Sequence, residues 1–176
     1  MKTQLFNQFY VAVVEATPLG PVWVAASETG LIAVYIGFEG VTFSQDLAAK
    51  FEAAPVNQKS GTEDYLHQIE KYLHGKRQTF TLPIHWESMS AFQQKSLRAV
   101  AAVPYGETRT YGQIAAEIGV PRAPRAVGRA NATNPMPLVL PCHRLIGADG
   151  SLRGYGGGEG LKTKRWLLDM EKRHSA

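Results

Sequence analysis

The spacing of apolar residues changes near residue 86, and this change constrains the fold more than any other feature of the sequence. Before it, apolar residues form short runs at 11–16, 22–26 and 31–36, separated by turn residues. Such β-rich runs joined by tight turns predict an antiparallel meander. After it, apolar residues recur with the period of amphipathic helices. We therefore expect two domains, residues 1–85 and residues 86–176.

Helices and one more strand complete the predicted N-terminal domain. Ser44 is a suitable N-cap for a helix that ends near residue 52. Apolar residues between 65 and 73 follow a helical spacing and predict a second helix. A further strand is expected at residues 80–82, and residues 52–62 are expected to form a loop.

The C-terminal domain contains a predicted helix-turn-helix. Thr110 and Gln113 have the spacing of a capping box, so a helix is expected to begin there and to end at Gly119. Pro124 suits the first turn of a second helix, which would extend to about Asn131. A helix, a short connector and a basic helix are a weak indication of DNA binding.

An earlier helix of the same domain is predicted from apolar spacing. Phe92, Ser96, Val100 and Val103 are expected on its buried face, and Pro104 ends it. In the helix that begins at residue 124, by contrast, the side chains that bear on function are those expected on the surface.

The second helix of the helix-turn-helix, which begins at residue 124, combines positive charge with small side chains. Arg125 and Arg129 are four residues apart and so share a face. Ala126 and Gly128 are small, which permits a close approach of the backbone to a ligand. Val127 is expected to face the core.

The charge distribution agrees with a polyanionic partner. Residues 86–176 contain thirteen Lys/Arg and seven Asp/Glu, a net charge of +6, whereas residues 1–85 have a net charge of −2. A basic half of this kind suits nucleic acid, although ordinary surface solvation explains the charge equally well. No signal peptide and no transmembrane run is expected.

The cysteine count restricts the chemistry. Cys142 is the only cysteine of the chain, so neither an internal disulfide nor a cysteine-based zinc finger is expected. A lone cysteine after an apolar run is usually a small buried residue. Here His143 and Arg144 follow it directly, and either can favour a thiolate. A reduced, cytoplasmic location fits best.

Proton transfer from this cysteine needs further groups. Adjacent side chains diverge, so a water is the natural relay between Cys142 and His143. The histidine also needs an orienting acceptor, and Glu171, near the end of a predicted C-terminal helix, is a candidate. A carboxylate at that end of a helix is unfavourable because of the helix dipole, so a partner would explain it.

Residues 90–171 resemble the O6-alkylguanine-DNA alkyltransferase family nearly throughout. The active-site signature of that family is similar to Pro141-Cys142-His143-Arg144. Further similar segments occur in the family's order at residues 104–107, 110–115, 125–128, 134–135, 154–158 and 164–168, followed by Glu171. The N-terminal half resembles the family more loosely, through residues 17–21.

This resemblance implies a fold and an activity. The fold is α+β, with a ribonuclease-H-like N-terminal α/β domain that contains a small antiparallel sheet, and a mainly helical C-terminal domain. The thiolate of Cys142 would take the alkyl group from O6-alkylguanine in DNA, with O4-methylthymine as a further candidate substrate, and form S-alkylcysteine. Water does not cleave a thioether, so each molecule would act once and without a cofactor. No metal is expected, because the cysteines that bind zinc in some members are absent.

The resemblance also implies roles for single residues. Glu171, His143 and a water would take the thiol proton, Tyr111 would donate to ring N3 of the base, and Asn134 would tie the turn at Cys142 to the recognition helix. The helix-turn-helix would enter the minor groove of double-stranded DNA, and a monomer is expected.

A flipped base is implied as well, and Arg125 would occupy the gap that it leaves. Pro137 would narrow the pocket, Gly156 would offer a backbone N–H to O6, and Arg98 and Arg122 would contact phosphates. The other residues expected at the DNA or the base are Ala126, Gly128, Arg129, Leu145 and Tyr155.

Three other hypotheses fit part of the sequence. A non-catalytic alkyltransferase-like damage sensor would share the groove and Arg125 but lack the nucleophile. A helix-turn-helix regulator would leave the motif at residues 141–144 unexplained. A cysteine hydrolase would need a histidine more distant in sequence than His143.

Overall fold

The computed structural model describes residues 6–57 and 61–175. The chain divides into two compact units, and the boundary lies between Ser88 and Met89. Within the described residues, no helix combines the length and apolarity needed to cross a membrane. The first unit combines a sheet with helices and the second is mainly helical, so the predicted α+β class is confirmed.

The first unit is built on a four-stranded sheet in the order β3-β2-β1-β4. Its strands are β1 (Gln8–Val14), β2 (Val22–Ser27), β3 (Gly30–Ile36) and β4 (Ala54–Asn57). The first three are antiparallel, as predicted, but β4 pairs parallel with β1. The sheet is therefore mixed, because α1 (Gly40–Phe51) returns the chain to the free edge of β1 in the parallel direction.

Two boundaries in this unit differ from the prediction. The helix α1 begins at Gly40 rather than after Ser44, and its N-cap, Glu39, makes no side-chain cap hydrogen bond. The start of α1 therefore lacks the side-chain cap by which the start of a helix is predicted from sequence. The expected loop at residues 52–62 contains β4, which is short and carries Pro55, a residue tolerated at a sheet edge.

The strand predicted at residues 80–82 is absent. Instead, residues 83–85 pair briefly with β3. The N–H of Leu31 donates to the carbonyl of Pro83, and the N–H of His85 donates to the carbonyl of Leu31. The second helix of this unit, α2 (Glu63–Leu73), is confirmed.

The second unit consists of four helices and a short parallel pair of strands. They are α3 (Ala91–Ala101), β5 (Arg109–Thr110), α4 (Tyr111–Glu117), α5 (Pro124–Ala132), β6 (Leu145–Ile146) and α6 (Leu161–His174). The capping box of Thr110 and Gln113 is confirmed, since both of its hydrogen bonds form. Pro124 is the first residue of α5, as predicted.

The core of this unit lies between α3, α4 and α5. Ser96 and Val100 of α3 are buried as predicted, but Phe92 is 37% exposed. Leu97 is buried instead, so the buried stripe of α3 begins one turn later than the prediction placed it. Val127 of α5 packs in the same core, which turns the arginines of α5 outward.

Candidate active site

Cys142 begins a short 3-10 turn, Cys142–Arg144, between a buried apolar segment and β6. Asn134, just beyond α5, holds this turn. Its Nδ2 donates to the carbonyl of Leu140 at 2.8 Å and to Sγ of Cys142 at 3.1 Å, while its Oδ1 accepts from the N–H of Met136. Asn134 therefore fixes the thiol relative to the end of α5.

The thiol is nearly enclosed, with 8% of the residue exposed. Burial raises the pKa of Cys142 above its ordinary value, and the hydrogen bond from Asn134 and the charge of Lys164 offset only part of this effect. The resting cysteine is therefore a thiol, and a proton acceptor is needed before it can act as a nucleophile.

The candidate contact between His143 and Glu171 is present. Nε2 of His143 lies 2.8 Å from Oε1 of Glu171, and both side chains are fully buried. Glu171 also accepts from Nη2 of Arg144 at 2.9 Å and from the N–H of Gly106 at 3.0 Å. Four groups from three separate segments thus converge in one buried cluster.

The protonation states in this cluster follow from its partners. Burial opposes ionisation of Glu171, but its hydrogen bonds to His143 and Arg144 and the positive charge beside it outweigh this effect and hold the pKa of Glu171 at about 2. Burial lowers the pKa of His143, and Glu171 only partly restores it. A neutral imidazole that donates from Nε2 to the carboxylate satisfies both conditions. A water relay from Sγ would then use Nδ1 as acceptor.

Arg144 serves Glu171 rather than the thiol. Besides its bonds to the carboxylate, its Nη1 donates to the carbonyl of Val103 at 2.6 Å. It supplies the partner that a carboxylate in the last turns of a helix requires. The expectation that Arg144 can favour a thiolate at Cys142 stays a prediction.

A cavity of about 660 Å³ opens beside this cluster. That volume is within the range of small-molecule sites. The cavity lies between the start of α4, the exposed side of α5 and the loop that precedes α6. Its lining includes Tyr111, Arg125, Gly128, Arg153, Tyr155 and Gly156.

Cys142 lies close to this cavity through two aromatic residues of its lining. Burial raises the pKa of Tyr111 and of Tyr155, and an ionised Cys142 raises both further. Gly128 faces the Tyr111 ring, since a Cβ there would lie 3.8 Å from the ring atoms. An alanine at that position would make ordinary van der Waals contact with the tyrosine.

Four of the predicted DNA or base residues do not line the cavity. Arg129 and Ala126 are exposed on α5, beside Arg125. Leu145 packs in the core, and Pro137 is buried in the segment that precedes Cys142. Pro137 is buried and is not part of the cavity lining, and its narrowing of the pocket stays a prediction.

Gly156 is exposed at the cavity wall, where a Cβ would lie 3.4 Å from the carbonyl of Ala132. A side chain at this position would crowd the end of α5.

Sequence reasoning missed the position of Lys164. This residue is fully buried, and its Nζ donates to the carbonyl of Arg153 at 2.9 Å and lies 6.0 Å from the centre of the Tyr111 ring. Burial lowers its pKa to about 8. A signal was available, since Lys164 and Glu171 are seven residues apart and so share one face of α6. Within the described ranges, no three His, Cys, Asp or Glu side chains group as metal ligands would.

The fold and this site define a class of DNA-modifying proteins, and comparison with known proteins agrees. Residues 8–86 match the family model for the 6-O-methylguanine DNA methyltransferase, ribonuclease-like domain, and residues 91–173 match that for the DNA binding domain of the same family. The chain belongs to the 6-O-methylguanine DNA methyltransferase family. The resemblance found in the sequence is confirmed.

Individual relatives span almost the whole chain. A methylated-DNA–protein-cysteine methyltransferase of Methanosarcina barkeri is 39% identical over 93% of this chain and 97% of its own. The constitutive enzyme of that name from Bacillus subtilis is 35% identical over 89% and 92%. The crystal structure of Mycobacterium tuberculosis OGT in complex with DNA has a TM-score of 0.77 and 34% identity, and the match covers 94% of each chain.

Proposed function

We propose that this protein repairs DNA by direct reversal, transferring the alkyl group of O6-alkylguanine to Cys142. The observation that supports this most directly is the arrangement of Cys142: a thiol that accepts a hydrogen bond from Asn134, directly precedes the histidine of the buried His143–Glu171 pair and lies near a cavity of about 660 Å³. The family to which the chain belongs is named for this reaction.

The reaction is a displacement at carbon. The bond from Sγ to the alkyl carbon forms while the bond from that carbon to guanine O6 breaks. The thiol proton leaves through a water to Nδ1 of His143, and the released guanine takes up one proton, so the base exchanges an alkyl group for a hydrogen. Glu171 keeps its charge throughout, because its pKa of about 2 is too low for it to accept the proton.

Tyr111 would assist the leaving group. Its phenol lines the cavity, and its raised pKa keeps it protonated at neutral pH. It is thus able to donate a hydrogen bond or a proton to ring N3 as charge develops on the base. The N–H of Gly156 would support O6.

The substrate would be a flipped base in double-stranded DNA. A thiol that is 8% exposed in a pocket is out of reach of a base in the stack, so the base has to come to it. Arg125, exposed at the cavity rim, would fill the vacated gap, and Arg129 would contact phosphate. The small residues Ala126 and Gly128 suit the close approach of α5 to the minor groove.

We assign both DNA binding and alkyl acceptance to the domain predicted over residues 86–176, acting as a monomer. The thioether product has no hydrolytic route back to the thiol, so the protein acts once and needs no cofactor. A cytoplasmic location suits a reaction that depends on a reduced thiol.

The decisive experiment is to incubate the protein with a duplex that carries O6-methylguanine and to measure the mass of the protein. We expect one added methyl group per molecule, mapped to Cys142, and no addition to the Cys142→Ala variant. Unchanged mass with retained DNA binding would support the damage sensor or the regulator. Turnover on an ester would support a hydrolase. A second duplex with O4-methylthymine tests the range of bases.

A further inference from the structure

The proposed transfer assigns no role to one buried charged group. Lys164 of α6 is fully buried, and its single hydrogen bond from Nζ goes to the carbonyl of Arg153, a neutral acceptor. No carboxylate of the described residues lies within ion-pair distance of Nζ. Buried ammonium groups ordinarily have a charged partner, because an unpaired charge is costly to desolvate.

The charges of the buried side chains Glu171, Arg144, His143 and Lys164 indicate which group is the partner of the ammonium. Glu171 and Arg144 form an ion pair and cancel each other, and His143 is neutral. Lys164 then leaves a net charge of one positive unit beside a neutral thiol. Conversion of Cys142 to its thiolate makes the cluster neutral. The charge of Lys164 lowers the pKa of Cys142, and an ionised Cys142 raises the pKa of Lys164.

The geometry of α6 keeps this ammonium in place. Lys164 and Glu171 are two turns apart on one face of the helix, so the helix that orients His143 also holds the lysine. The bond to the Arg153 carbonyl fixes Nζ beneath the loop that continues into Tyr155 and Gly156. The same group lies 6.0 Å from the centre of the Tyr111 ring, which lines the cavity.

We propose that Lys164 is a positioning residue whose ammonium is the counter-charge of the Cys142 thiolate. This inference rests on the proposed function for its biological meaning, but not for its test. Lys164 does not touch the base. It lowers the cost of forming the nucleophile inside a pocket that otherwise disfavours charge.

The test measures the thiol without DNA. Cys142 is the only cysteine, so its rate of reaction with iodoacetamide as a function of pH gives the thiol pKa directly. In Lys164→Met we expect that pKa to rise by about one unit, which makes the reaction at pH 7 about tenfold slower. The matched control is Lys162→Met, because Lys162 is exposed on the same helix and pairs with Glu159. It should match the wild type.

Lys164→Arg separates charge from packing. Arginine stays protonated at all accessible pH values, whereas the pKa of Lys164 is about 8. The Arg variant should therefore retain the thiol pKa of the wild type and react faster than Lys164→Met. A thiol pKa that is equal in the wild type and Lys164→Met, with only the melting temperature reduced, would overturn the proposal and leave a packing role.

A second readout distinguishes the two proposals. Methyl transfer from a duplex carrying O6-methylguanine should slow about tenfold in Lys164→Met, with DNA affinity unchanged. If the wild type transfers no methyl group, the proposed function fails, while the thiol pKa still decides the role of Lys164. If Lys164→Met does not fold, Lys164→Gln provides the neutral comparison, since its amide can still donate a hydrogen bond.

Discussion

Nε2 of His143 lies 2.8 Å from Oε1 of Glu171, and neither side chain is exposed to solvent. The carboxylate is held in turn by Arg144 and by the N–H of Gly106. Its low pKa makes it an orienting charge rather than a proton acceptor. The proton from Cys142 would therefore stop at His143, where the resulting imidazolium is stabilised by Glu171.

Glu171→Gln should lower both stability and activity. The amide keeps the size of the side chain but leaves the buried guanidinium of Arg144 without its counter-charge. Loss of one partner of a buried pair costs about 3 kcal/mol or more, and urea unfolding measures this. Glu159→Gln is the control, since Glu159 is exposed and its pair with Lys162 contributes well under about 1 kcal/mol. Equal losses in both variants would contradict the assignment.

Stability should fall in acid in a defined window. The pKa of Glu171 is depressed from an ordinary 4.5 to about 2. Its contribution is therefore complete above about pH 5 and is lost as the pH falls through 4.5 toward 2. The shift corresponds to about 3 kcal/mol. Unfolding free energies of wild type and Glu171→Gln should converge across this window, and parallel curves would refute the prediction.

Asn134→Ala should make the thiol less reactive. The variant removes the hydrogen bond to Sγ and frees the carbonyl of Leu140. The thiol pKa should rise, because the bond from Asn134 favours the thiolate. We expect about a fivefold slower reaction with iodoacetamide at pH 7, in line with about 1 kcal/mol for such a bond. Thr133→Ala, one residue away and without a bond to Cys142, should react at the wild-type rate.

Arg125→Ala and Arg129→Ala should have different effects. If Arg125 fills the gap left by the base, its loss should slow transfer from duplex DNA at least about tenfold and leave transfer from a free O6-alkylguanine base unchanged. Arg129→Ala should weaken duplex binding for every sequence and reduce the salt slope by about 1. A loss of activity on the free base in Arg125→Ala would show that it acts inside the pocket instead.

The elements that sequence predicted best have strong local signals. Thr110 and Gln113 cap α4 with side chains that are three residues apart, and Pro124 begins α5 with its own fixed φ. The start of α1 at Gly40 has no such signal, because its N-cap makes no side-chain hydrogen bond. The parallel pairing of β4 depends on a crossover, which no local pattern specifies.

The site residues likewise divide into those with a local sequence signal and those without one. The motif at residues 141–144 is contiguous, so Cys142 and His143 were identified together, and Glu171 was a candidate acceptor. The partners of Arg144 lie far from it in sequence, at Val103 and Glu171. Lys164 is an ordinary lysine by its neighbours, and only the packing of α6 places its ammonium inside the protein. Roles that depend on burial were the ones the sequence left open.

The enclosure of Cys142 has a consequence for the lifetime of the unreacted protein. Peroxides and other oxidants attack thiolates that solvent can reach. A buried cysteine that is protonated at rest offers them little, although it is one proton transfer away from reactivity. Each molecule reacts once, so burial that protects the thiol from oxidation also preserves its capacity for alkyl transfer. We therefore expect the unreacted protein to stay active under oxidative stress.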